Sequence, residues 1–322
     1  MNKLIFVLIT FFSTQVTVAC TRIFWNEKNV VTVARTFDWD NDYNETLLIL
    51  PRNRLHTGDT TINEAVWHSK FGSIVVQENY MTQRAITDGV NEAGLAAHLL
   101  VFEDGQYQSR DIKRPGVSIR QWLQYYLDNF ASVNEVINNI DNIQIVPAGF
   151  AKFDNLSLHV AIEDSSGDSA IIEFIAGNLS IHHNSAYRVM TNEPTYEQQL
   201  ENLWRYEQKN CMRKELPLDD KSQSRFVRAS CYLRSLPTIS DSRHAVALLA
   251  SIAENVSVAY GMSQTEATWW RTYIDFKNHN YYFKSTQVPG IFWLNFAKIN
   301  FGNPASYREI HAHDSRLMGD IT

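Results

Sequence analysis

The chain has 322 residues, a formal net charge of −6, 44% hydrophobic and 20% charged residues. That composition belongs to a folded globular chain and excludes a disordered one. The acidic balance argues against a general nucleic-acid binder. Only 3 cysteines are present, which excludes a disulfide-built scaffold and a four-cysteine zinc site.

Residues 1–19 differ from the rest. Met1-Asn2-Lys3 is a short positive start, and Leu4 to Phe12 is an apolar run. Thr17 and Ala19 supply the small residues that a signal peptidase requires. The segment reads as a secretory signal peptide cut after Ala19, so the expected location is secreted or periplasmic. No later stretch reaches about 18 apolar residues, so stable membrane insertion is not expected of the mature chain. With no repeat or linker in sight, residues 20–322 read as one catalytic-sized domain.

Strand signals come first. Thr21 to Trp25 and Val30 to Phe37 are β-branched and aromatic runs around the turn Glu27-Lys28-Asn29. Thr46 to Leu50, Ser73 to Gln77 and Leu95 to Phe102 follow, with Asp88-Gly89 and Asn91-Glu92-Ala93-Gly94 read as turns. Apolar spacing predicts a helix over Val117 to Phe130, and Ser132 with Glu135 forms a capping box for a second over Ser132 to Ile140. Leu156 to Ile162, Ser169 to Ile175 and Tyr187 to Thr191 read as strands. Thr195 to Gln208, Ser222 to Ser235 and Ser242 to Val256 read as helices. Trp269 to Phe276 and Tyr281 to Ser285 close as a hairpin. Hairpins dominate, so the expected class is α+β: two stacked, mainly antiparallel sheets covered by helices.

Cleavage after Ala19 exposes Cys20 as the mature N-terminus. A terminal cysteine carries a nucleophile and, in its own α-amine, a base; their reference pKa values are about 8.5 and 8. Two other fates compete. Lipidation would make the chain an anchored or secreted binding protein, but that signal wants an apolar residue where Thr17 stands. A disulfide is the second, yet Cys211 and Cys231, 20 apart, are the pair favoured in an oxidising compartment, leaving Cys20 as the odd thiol.

Cys20-Thr21 is followed by Arg35-Thr36-Phe37-Asp38-Trp39, then Asn91-Glu92-Ala93-Gly94-Leu95, then Thr191-Asn192-Glu193-Pro194, then Ser224-Arg225-Phe226. In this series the chain resembles the choloylglycine hydrolase family of conjugated bile salt hydrolases and penicillin V acylases, in particular its secreted Gram-negative branch. The resemblance implies an N-terminal-nucleophile hydrolase with an αββα four-layer sandwich, acting on linear amides such as conjugated bile salts, penicillin V or acyl homoserine lactones. It implies Cys20 as nucleophile, Arg35 beside its sulfur, Asp38 holding the α-amine, Asn192 donating to the oxyanion and Arg225 anchoring the site from a helix. The family carries Asn or Tyr where this chain has Val101, so the second oxyanion donor would be the Val101 backbone N–H. Trp39 follows closely enough to wall an apolar acyl group. A small-molecule amide is the expected partner, with a homo-oligomer possible. The family's tetramer is put in question, because only 32 residues separate Asn192 from Arg225. No cofactor or metal motif occurs, and His311-Ala312-His313-Asp314 reads as an exposed tail.

Overall fold

The computed structural model describes residues 19–27, 29–152, 156–261 and 266–322. The signal-peptide reading of residues 1–18 and the turn residue Lys28 lie outside them. The first hairpin forms as expected: Thr21–Glu27 pairs antiparallel with Val30–Trp39, in the register Glu27↔Val30 to Thr21↔Thr36.

Two sheets organise the fold. One has seven strands in the order Val189–Met190, Thr21–Glu27, Val30–Trp39, Ala267–Asp275, Asn280–Ser285, Phe292–Asn295, Gly319–Asp320. The other has eight, in the order Asn178–His183, Ser169–Ile175, Leu158–Asp164, Leu95–Val101, Gln83–Asn91, Ser73–Tyr80, Thr46–Leu50, Arg308–His311. Within these two sheets every pairing is antiparallel except that of the last two strands of the first. Five α-helices cover the sheets: α1 Trp122–Asn129, α2 Val133–Asn139, α3 Tyr196–Glu207, α4 Ser222–Arg234 and α5 Ser242–Asn255. α1 packs on the strands of the eight-stranded sheet and α2 against Leu158–Asp164. α4 and α5 pack on the seven-stranded sheet, with α3 against α4. The result is the expected αββα sandwich with mainly antiparallel sheets.

Central strands are covered on both faces, which explains their unbroken burial. Leu95–Val101 (LAAHLLV) and Thr46–Leu50 (TLLIL) are buried at every position. Several charged side chains that reach the space between the sheets are paired. Arg22 donates to Glu163, His98 lies between Glu163 and Asp88, and Tyr281 donates to Asp88. Burial alone would lower the His98 pKa, but its two carboxylate neighbours lift it to about 9.

Three sequence expectations are corrected. Asp88-Gly89 is not a turn but the interior of Gln83–Asn91. Gly89 is there for close approach: a Cβ would meet the Ile74 carbonyl oxygen at 2.7 Å. The helix expected from Val117 starts only at Trp122, because Gly116–Ser118 forms a parallel ladder with Gln144–Val146. The C-terminal stretch is no exposed tail. Arg308–His311 pairs with Thr46–Leu50, Ala312 is buried, and His313 faces Asp42 and Glu45.

Candidate active site

The strand Val30–Trp39 places two sets of side chains by its alternation. Arg35, Phe37 and Trp39 project to one face and line an apolar pocket together with Cys20. Thr36 and Asp38 project to the other, towards α4 and the neighbouring strand Ala267–Asp275. Cys20 sits at the start of the adjacent strand, where both sets can reach it.

On the pocket side, Arg35 Nη2 lies 3.9 Å from Cys20 Sγ and donates to the Leu99 carbonyl at 2.8 Å. Its guanidinium lies 4.8 and 4.4 Å from the ring centroids of Phe37 and Trp270, which stack on each other. The Cys20 thiol donates to the Asp38 carbonyl at 3.6 Å. Burial pushes that thiol up to about 11, with Arg35 as the main opposing influence.

On the other side, the Cys20 backbone nitrogen donates to Asn192 Oδ1 at 2.7 Å. Asn192 Oδ1 also accepts from Arg225 Nη2 at 3.0 Å, and Asn192 Nδ2 donates to the Val101 carbonyl at 2.8 Å. Arg225, from α4, donates through Nη1 to the Cys20 carbonyl and to Thr21 Oγ1, both at 2.6 Å. Asp38 accepts from Thr268 Oγ1 and from Thr36 Oγ1, and its carboxylate is 4.0 Å from Arg225 Nη1. Burial lifts Asp38 to about 6, with Arg225 and the Thr268 bond opposing.

All seven residues singled out in the sequence therefore converge: Cys20, Arg35, Asp38, Trp39, Val101, Asn192 and Arg225. Two details differ from expectation. With Ala19 attached, the Cys20 nitrogen donates to Asn192 rather than to Asp38. Asn192 commits one Nδ2 hydrogen to Val101, leaving the second for another acceptor. The Val101 N–H leaves the strand on the same edge as that carbonyl. Arg228, the other arginine of the S-R-F-V-R stretch, is elsewhere and donates to Pro217 and Asp219 carbonyls.

Sequence reasoning missed the residues that fix these groups. Thr268 holds Asp38 across 230 positions, and Trp270 supports Arg35. Glu78 lies in the pocket wall. The remaining wall is mostly apolar, with Ile86, Leu99, Phe150 and Leu158 among its members and Thr87 and Arg120 as its polar ones. The third and second cysteines are paired with each other, Cys211–Cys231, and Cys20 is free. Asp42, Glu45 and His313 bring three ligand-type atoms within 4.8 Å of one another, and His313 is ion-paired with both carboxylates.

This arrangement presents a buried thiol, a cation at its sulfur and amide groups around its nitrogen, next to an apolar cavity. Such a site suits nucleophilic attack on an acyl group. Residues 20–310 match the model for linear amide C–N hydrolases of the choloylglycine hydrolase family. The chain is 36% identical over 315 residues to a penicillin V acylase of Pectobacterium atrosepticum, covering 89% of this chain and 83% of that one. It is 28% identical over 176 residues to a bile salt hydrolase/transferase of Clostridium perfringens, covering 53% and 52%. The solved penicillin V acylase of Agrobacterium tumefaciens superposes with a TM-score of 0.83 at 35% identity, covering 94% and 95%. The chain belongs to the choloylglycine hydrolase family and is a hydrolase of linear carbon–nitrogen amide bonds.

Proposed function

We propose that the chain is cut after Ala19 and that Cys20, as its new N-terminus, hydrolyses N-acyl amides with apolar acyl groups. The observation that carries this reading is that both ends of Cys20 are served: its sulfur by Arg35 and its nitrogen by Asn192, which Arg225 holds. Cleavage turns the peptide nitrogen into an amine with a lone pair, and Ala19, buried in the uncut chain, vacates its place beside it. The amine takes the thiol proton. The thiolate attacks the acyl carbon, and the oxyanion accepts from the free Asn192 N–H and the Val101 N–H. The carbon–nitrogen bond breaks as the leaving amine takes the proton back from the α-ammonium. Water then repeats the sequence on the thioester and releases the acid. We assign Asp38, whose charge acts on Cys20, to stabilise the ammonium, since an amine nitrogen offers hydrogens beyond the one that Asn192 accepts.

The aromatic wall of Phe37 and Trp39 and the greater identity to penicillin V acylases favour phenoxyacetyl-type amides over conjugated bile salts. Residues 1–19 support export to the periplasm or beyond. A panel of phenoxyacetyl, octanoyl and bile-acyl amides and acyl homoserine lactones tests the reading, with Cys20→Ser as control. Turnover of the first two by the wild type, and a loss of about 10³ or more in the variant, is expected. Undiminished turnover by Cys20→Ser contradicts it.

A further inference from the structure

Glu78 stands out in the pocket. It lies on the strand Ser73–Tyr80, is 1% exposed, and lines the same apolar cavity as Cys20. Its Oε1 accepts from Trp270 Nε1 at 3.2 Å and from Thr87 Oγ1 at 3.5 Å. Its Oε2 is buried and has no hydrogen-bond partner among the described residues. A buried carboxyl oxygen left unpaired is costly, and such oxygens are rare in folded chains. Thr87, Arg35 and Arg120 are the other polar residues of a wall that is otherwise apolar, and an apolar acyl group would seal the Glu78 oxygen away without repaying the cost.

Its place relative to the sulfur follows from the contacts. Cys20 Sγ meets Arg35, the Arg35 guanidinium lies 4.4 Å from the centroid of the Trp270 ring, and the Trp270 Nε1 reaches Glu78. Glu78 therefore lies across Trp270 from Arg35 in the wall of the pocket that Cys20 shares. We infer that Glu78 selects acyl groups that carry a hydroxyl on their apolar part. Burial, together with the negative charge of Glu45, pushes the Glu78 carboxyl well above its ordinary range, against the pull of Arg35. An uncharged carboxyl can either donate to or accept from such a hydroxyl. This inference rests on the Cys20 hydrolase reading and adds the class of acyl group that it takes.

The test compares isosteric amides of one amine in two frames, phenoxyacetyl and octanoyl, each ending in a hydroxyl or a methyl group. The wild type should favour the hydroxyl over the methyl by about tenfold or more in kcat/KM in at least one frame, although hydrophobicity alone favours the methyl. Glu78→Leu should reverse that preference, and Glu78→Gln, which keeps a hydrogen-bonding end, should retain the hydroxyl preference. A wild type that prefers methyl in both frames overturns the inference, as does a ratio unchanged in Glu78→Leu. The wild-type ratio decides by itself should Glu78→Leu not fold. A wild type that turns over none of these amides sinks the hydrolase reading, and this inference with it; turnover without the hydroxyl preference sinks the inference alone.

Discussion

Cys20 is surrounded by groups whose jobs are separable by substitution. Asn192 accepts from the Cys20 nitrogen and, in the proposed mechanism, gives its remaining hydrogen to the oxyanion, whereas the Val101 side chain only lines the pocket. Asn192→Ala should lower kcat by about 10²–10³, the usual loss for one oxyanion donor. Val101→Ala keeps its backbone N–H and should change mainly KM. Steady-state kinetics of the two variants checks this, and a collapse of kcat in Val101→Ala with Asn192→Ala intact would refute the assignment. The motif residues were legible because each sits in a short recognisable string. Thr268 and Glu78 were not. Thr268 matters only through Asp38, 230 positions away, and Glu78 lies just past the expected strand end, where it reads as a surface acid.

At the scale of elements, periodicity carried far where helices have a clear apolar face. α3, α4 and α5 start and end within one residue of expectation. The α2 cap is also present: Ser132 Oγ accepts from the Glu135 N–H at 3.2 Å, and Glu135 reaches back to the Ala131 N–H at 2.8 Å. Ser132→Ala should therefore destabilise the fold by about 1 kcal/mol, seen as a lower urea midpoint with unchanged slope. A midpoint equal to wild type would deny the cap a role. Reading failed where pairing is non-local. Gly116–Ser118 is drawn into a ladder by Gln144–Val146, and nothing within residues 116–118 announces that partner. The strands Phe292–Asn295, Arg308–His311 and Gly319–Asp320 are short and were missed, because each exists only by virtue of a neighbour already in place.

Across the whole molecule, the order of strand and helix signals was enough to suggest two covered sheets, while the strand order within them depends on pairings such as Thr46–Leu50 with Arg308–His311. That pairing brings His313 beside Asp42 and Glu45. Burial alone would lower the His313 pKa, but its hydrogen bonds to the two carboxylates raise it to about 10 from 6.5. The partners shift differently. Asp42 falls well below its ordinary range despite partial burial, while burial lifts Glu45, so Asp42 is the firmer countercharge. A histidine raised in the folded state contributes stability that is full below pH 6.5 and is lost as pH climbs through about 10. The gap in Tm between wild type and His313→Gln should thus be widest near pH 6 and narrow towards pH 10. A gap that widens with pH would contradict this.

The central claim is that a free α-amine at Cys20 makes the nucleophile. It is tested most directly by comparing turnover of a phenoxyacetyl amide by two chains, one beginning at Cys20 and one with a single glycine before it. The account predicts that the added residue, which keeps the thiol but turns the amine back into an amide, lowers kcat by about 10² or more, within the range that general acid–base catalysis supplies. Equal turnover by the two chains would contradict it.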